Sequence, residues 1–153
     1  MEKNYIIRKA TKEDISTILE MGVGIVDKYE RTHLGDEMVN GYIGSGACKA
    51  DFIKHIDNTQ LLLLDNKVIG LIIWIEDRIQ GFLIDIPNWG AGAAQYLINS
   101  TLAVKFQEYE EVKLECFKSS PRANAFYKKM GWKETEIIES DGMTMVVYKK
   151  SRQ

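Results

Sequence analysis

This 153-residue chain has few of the residues that betray a specialised architecture: two cysteines, two prolines and two histidines. Cys48 and Cys116 offer neither a disulfide framework nor metal-ligand spacing. The core therefore has to hold the fold, and a reducing compartment is the default expectation. Charge of one sign is also lacking. The formal net charge is -2, and no Lys/Arg block interleaves with aromatics as a nucleic-acid stripe would. No apolar run approaches the length that spans a bilayer. Met1-Glu-Lys-Asn-Tyr5 has none of the character of a secretory leader, so a cytoplasmic protein without nucleic-acid, membrane or metal partners is expected. Repeats, low-complexity tracts and linkers are missing too, which at this length points to one domain over residues 1–153.

What is present alternates between two periodicities. Tyr5-Ile-Ile-Arg8 reads as a strand, and Thr11 caps a helix whose apolar face is Ile15, Ile18, Leu19, Gly22, Ile25, Val26 and Tyr29. From 31 to 50 the pattern weakens. Met38, Val39, Tyr42 and Ile43 suggest a turn or two of helix, interrupted by Gly41, Gly44 and Gly46, and Phe52, Ile53 and Ile56 suggest another. Leu61–Leu64 and Val68–Ile75 flank Asp65-Asn66 as a hairpin, and Glu76-Asp77-Arg78 leads to a strand at Phe82–Ile86. A helix over Ala94–Glu108, a strand at Val112–Phe117 and a helix from Ser120-Pro121 to Gly131 follow. Trp132–Ile138 and Met143–Tyr148 close the chain as a hairpin about Asp141-Gly142. Near-continuous apolar strands imply an α/β fold whose sheet is covered on both faces.

The stretch that organises the rest is Ile84-Asp-Ile-Pro-Asn-Trp-Gly-Ala-Gly-Ala-Ala-Gln-Tyr-Leu97. It passes from strand to helix through glycines. The first turn of a helix has unpaired N–H groups and the positive end of the dipole, and glycine lets phosphate oxygens approach the backbone. On its own Gly-x-Gly is equally a helix start that tolerates small residues.

The order of elements, together with Ile7-Arg-Lys-Ala-Thr-Lys-Glu-Asp14, the Pro87…Gly90-x-Gly92…Leu97 loop and Leu114–Trp132, resembles the GNAT superfamily of N-acetyltransferases over nearly the whole chain. The resemblance implies a mixed, mostly antiparallel sheet of about six to seven strands with helices on both faces, and acetyl-CoA as acetyl donor. It implies that Trp89, Gly90, Ala91, Gly92, Ala93 and Ala94 receive the pyrophosphate, and that Ile84 and Ile86 flank the pantetheine arm where strand 82–86 parts from strand 112–117. Ser120, Ala123 and Tyr127 match the later coenzyme motif. The chain departs from the family at Trp89, in a loop shorter by a residue or two, and at Ser120, where asparagine is usual.

Acyl transfer to an amine needs an anchored donor, a proton acceptor, a donor for the oxyanion and a proton for the leaving thiolate. By its place in the motif Tyr127 is the candidate acid; the alternative is a core aromatic whose hydroxyl finds a carbonyl. Asp85, set in an apolar strand, is a candidate proton acceptor or ammonium ligand, or a strand-end residue bonding nearby amides. Glu20, Glu30, Glu76 and Asp77 are further carboxylates that could reach an acceptor amine, though they read first as solvated charges; His33 reads as a surface histidine, and Lys128 and Lys129 as an exposed helix face that could meet a ribose phosphate. Glu115 and Cys116 read as strand residues, so direct transfer is expected. The acceptor is expected to be the primary amine of a small molecule; a protein lysine or N-terminal amine is the alternative, and a non-turning-over acyl-CoA-binding module the third. A homodimer through late strands is possible.

Overall fold

The computed structural model describes residues 3–152; the expectation about a leader falls partly on Met1 and Glu2, which lie outside them. Among the described residues the order is β1 (Tyr5–Lys9), α1 (Ile15–Tyr29), α2 (Arg31–Leu34), α3 (Asp36–Gly44), α4 (Ala47–Lys54), β2 (Thr59–Leu64), β3 (Lys67–Ile75), β4 (Arg78–Ile84), α5 (Ala93–Lys105), β5 (Glu111–Phe117), α6 (Pro121–Lys129), β6 (Lys133–Ser140) and β7 (Met143–Ser151). The strands form one sheet ordered β1-β2-β3-β4-β5-β7-β6. The β1–β2, β2–β3, β5–β7 and β6–β7 pairs are antiparallel, and β4–β5 is parallel. This is the mixed, mostly antiparallel sheet that was expected. The chain divides into two compact units: the first runs to Ile73 and takes in Gly81–Leu97, and the second comprises Trp74–Gln80 and everything described from Ile98 onward.

In the first unit, Leu61, Leu62 and Leu63 of β2 are buried in succession, as are residues 69–73 along β3. Consecutive burial means both faces of the sheet are covered there. Asp65 and Asn66 both take positive φ, 51° and 69°, the conformation a two-residue hairpin turn requires. The start of α1 is pinned by Asp14, whose carboxylate accepts from the Thr11 N–H at 2.8 Å and from the Arg8 guanidinium at 2.8 and 2.9 Å. Arg8 holds the Asp14 carboxyl down at about 2.

The 31–58 region is more helical than its glycines suggested. Gly41 lies inside α3 and Gly44 ends it, while Gly46 takes the left-handed conformation that starts α4. Tertiary packing decides the matter. A Cβ at Gly22 of α1 would stand 2.4 Å from the Phe52 ring of α4, so the glycine is the socket into which α4 docks.

In the second unit, β5 alternates strictly: Val112, Leu114 and Cys116 are buried while Glu111, Lys113 and Glu115 are exposed. Along β5, therefore, one set of side chains is open to solvent. Asp141 and Gly142 (φ 52° and 77°) make the closing hairpin turn, and Gly131 at φ 90° ends α6.

Candidate active site

β4 ends at Ile84, two residues before the sequence expectation, and a short 3-10 turn, Ile86–Asn88, holds Pro87 near its start. Asp85 therefore lies past the strand, half-buried, with its N–H bonded to the Ile69 carbonyl at 2.7 Å. The strand-end alternative describes its position. Parallel register between β4 and β5 consists of Arg78↔Lys113 and Ile79↔Leu114, and β4 continues beyond it to Ile84.

The loop that follows is built for backbone recognition. Gly90 and Gly92 have φ of 79° and 88°, where a side chain would be strained, and a Cβ on either would point into open space. The Gly92 carbonyl accepts the Tyr96 N–H at 3.0 Å, so α5 starts at Ala93 and the helix supplies no acceptor for the N–H groups of Ala93, Ala94 and Gln95. Gly90, Ala91 and Gly92 are exposed. Exposed loop, open space and unpaired amides at a dipole's positive end fit a diphosphate. Two contributors escaped the sequence reading: Gln95, whose amide falls in the first turn, and Lys3, whose Nζ donates to the Ala91 carbonyl at 3.3 Å.

Trp89 is used differently from expectation. Its indole Nε1 donates to the Ile84 carbonyl at 2.6 Å, and its ring meets Tyr29 edge-on at 4.8 Å. The side chain folds back on the strand end and braces the loop.

In the second unit, Tyr127 sits on the inner face of α6, 9 % exposed, ringed by Phe126 (5.4 Å), Tyr148 (5.7 Å) and Trp132 (6.0 Å). Burial pushes its hydroxyl pKa well up, with Cys116 and Tyr148 adding to the effect. Ser120 is buried at the N-cap of α6, but its side chain makes no capping bond. The local work falls to Asn124, which the sequence reading passed over. Its amide donates to the Phe117 and Ser120 carbonyls (3.0 and 2.6 Å), and its Oδ1 accepts from Tyr148 at 2.6 Å. Ala123 lies half-buried one turn before Tyr127.

Among the weighed carboxylates, Glu20 and Glu76 are exposed and Asp77 is half-buried, while Lys128 and Lys129 are exposed. Glu115 is exposed and Cys116 buried on β5, as read. His33 and Glu30 are not surface groups: their side chains are 6 % and 18 % exposed and lie 2.8 Å apart. The two are three residues apart on helical backbone, so their pairing is local; what only the fold reveals is that they are buried. Among the described residues no cluster of three or more His, Cys, Asp or Glu could hold a metal, and no helix is long and apolar enough to cross a membrane.

A family model described as an acetyltransferase (GNAT) domain matches residues 25–152. The chain belongs to the GNAT acetyltransferases. It is therefore an acetyl-CoA-dependent N-acetyltransferase. Solved structures share this GNAT fold at low identity. A GCN5-related N-acetyltransferase from Rhodopseudomonas palustris is 14% identical at TM-score 0.82, with 99% of each chain covered. A PaiA N-acetyltransferase from Thermoplasma acidophilum, in complex with coenzyme A, is 17% identical at TM-score 0.80, covering 97% of this chain and 99% of that one. The ribosomal-protein-S18-alanine N-acetyltransferase from Escherichia coli is 14% identical at TM-score 0.70, covering 97% and 94%. No curated protein shows significant sequence similarity to this GNAT chain.

Proposed function

We propose that this acetyltransferase moves an acetyl group from acetyl-CoA directly to the primary amine of a small molecule. The observation that carries the reading is the pair of left-handed glycines opening onto the first turn of α5. In this reading the Gly90–Ala94 amides, with that of Gln95, hold the pyrophosphate. Ile84 and Ile86 lie along the pantetheine arm, Trp89 braces the loop, and Ser120 and Ala123 belong to the later coenzyme motif. Acetyl-CoA supplies the acetyl group already activated as a thioester. Tyr127 holds a proton at its Oη and yields it to the departing sulfur. The burial that keeps this proton on the tyrosine also raises the proton affinity of a thiolate in the same surroundings, so the transfer is not as uphill as in water. Asp85, half-buried at the strand end, accepts the amine's proton directly or through water. Compartment is proposed as cytoplasmic, and a homodimer stays a proposal.

The test is thiol release on mixing the protein with acetyl-CoA and a panel of polyamines, amino acids, aminoglycosides and peptides with free N-termini. Release with the small amines is the expected result. Release with peptides alone would make a protein the acceptor, an activity that the name of the Escherichia coli S18-alanine enzyme carries. Coenzyme binding with no release on any amine would replace the enzyme with a binding module.

A further inference from the structure

The glycine loop has to hold a doubly charged diphosphate with almost no positive charge of its own. Between Arg78 and Lys105 the sequence has no lysine or arginine, and the one charged residue there is Asp85. The amides at the start of α5 bring partial charge only, because a helix dipole amounts to about half an elementary charge. Asp85, half-buried just past the end of β4, adds to the negative side. Main-chain recognition fixes where the diphosphate lies but leaves most of its charge unanswered. The missing cation has to come from another part of the chain.

β1 delivers one. Lys3 stands two residues before that strand, exposed, and its Nζ donates to the Ala91 carbonyl at 3.3 Å, between the two left-handed glycines. Three contacts fix the chain that carries it. The Tyr5 N–H donates to the Lys3 carbonyl at 3.0 Å, and the Asp65 N–H to the Asn4 carbonyl at 3.3 Å. The Tyr5 ring lies 4.7 Å from that of Tyr96, whose own N–H closes the first turn of α5 on Gly92. Lysine, loop and helix start all belong to the first unit. One exposed bond to a carbonyl hardly offsets the rotamer entropy of ordering a lysine. An anion beside it would use the full charge and more of the ammonium's three donors. The bland alternative is a strap that merely keeps the loop in shape. A counter-cation responds to salt and to the charge of the ligand, whereas a strap responds to neither.

Resting on the coenzyme reading of the glycine loop, we infer that Lys3, carried there by β1, is the counter-cation of the coenzyme's diphosphate. The experiment titrates coenzyme A and dephospho-coenzyme A, by calorimetry, into tag-free wild-type protein, Lys3→Gln and Lys3→Arg. Dephospho-coenzyme A keeps the diphosphate and lacks the ribose phosphate, so it tells the two anions apart. At low salt Lys3→Gln should weaken both ligands roughly fivefold. Lys3→Arg, which keeps the charge, should stay within about twofold of the wild type. In about 1 M KCl, where the screening length falls to about 3 Å, the gap between wild type and Lys3→Gln should narrow. Undiminished affinity in Lys3→Gln would overturn the assignment. A loss confined to coenzyme A would move the lysine to the ribose phosphate, and a loss untouched by salt would make it a strap; either result overturns the assignment as well. All three outcomes leave the coenzyme site standing. Wild-type protein that takes neither ligand would instead sink the coenzyme reading, and the role of Lys3 with it.

Discussion

Gly90, Ala91 and Gly92 are exposed and offer main-chain amides; Tyr127 is walled in by aromatic rings and offers one hydroxyl. The loop belongs to the first unit and the tyrosine to the second. Backbone recognition depends on conformation and open space, so it tolerates neighbours such as Trp89 that depart from a family pattern. A lone hydroxyl in low dielectric tolerates nothing, because its chemistry resides in a single atom. The comparison teaches where each half is vulnerable: the loop to bulk and backbone strain, the tyrosine to loss of one oxygen.

The sharpest way to break that contrast is Tyr127→Phe. Turnover should fall about 100-fold, near 3 kcal/mol, with coenzyme affinity within about twofold. Unchanged turnover would remove the acid role. The first unit's dependence on bulk is next. Gly22→Val puts carbon into the Phe52 ring and should cost about 2 kcal/mol in urea unfolding; a neutral result would mean that α4 shifts freely. At the loop, Gly92→Val should weaken coenzyme binding about tenfold, near 1.4 kcal/mol. Gly92→Ala shares the positive-φ strain without the branched bulk, so equal losses in the two variants would assign the effect to backbone alone.

The smallest effect concerns Asp14. Its folded-state pKa of about 2 lies below the ordinary value of 3.8, so it stabilises the fold above about pH 4 and loses that contribution as pH falls toward 2. The shift corresponds to roughly 2 kcal/mol, and screening at the 42 % exposed Arg8 side chain trims it to about 1. Asp14→Asn should therefore unfold more easily at pH 7 and match the wild type only at about pH 1, below the folded-state value. A full difference that persists at about pH 1 would assign the effect to capping geometry.

Legibility in the sequence followed the range of the interactions involved. The hairpins at Asp65-Asn66 and Asp141-Gly142, the stop at Gly131 and the helical face through Leu97 and Ile98 are local codes, and each stands where the residues put it. Helices 31–54 were obscured because glycines that look like breakers serve as a helix interior, a terminus and a start, and because Gly22 and Phe52 meet across 30 positions of sequence. At the candidate site, the glycine loop was readable because strand, small residues and helical period occur in one run. The Glu30–His33 pair was not, since solvated and buried charges look alike until the chain has turned. Asn124 was hidden for the same reason: partners on β5, at the cap of α6 and on β7 give it meaning, and none of them lies on its own helix.

The edge strand β6, at the opposite border of the sheet from β1, has a consequence for how copies of this chain meet. Its register slips between Glu134 and Glu136, leaving Thr135 as an extra residue, and it carries Lys133, Glu134, Glu136 and Glu139 along a largely uncovered length. A neighbour trying to extend the sheet would confront a kink and a row of repelling carboxylates. That rim works as a selvedge: it keeps the weave from growing at this border, and it turns any self-association toward some other side of the molecule.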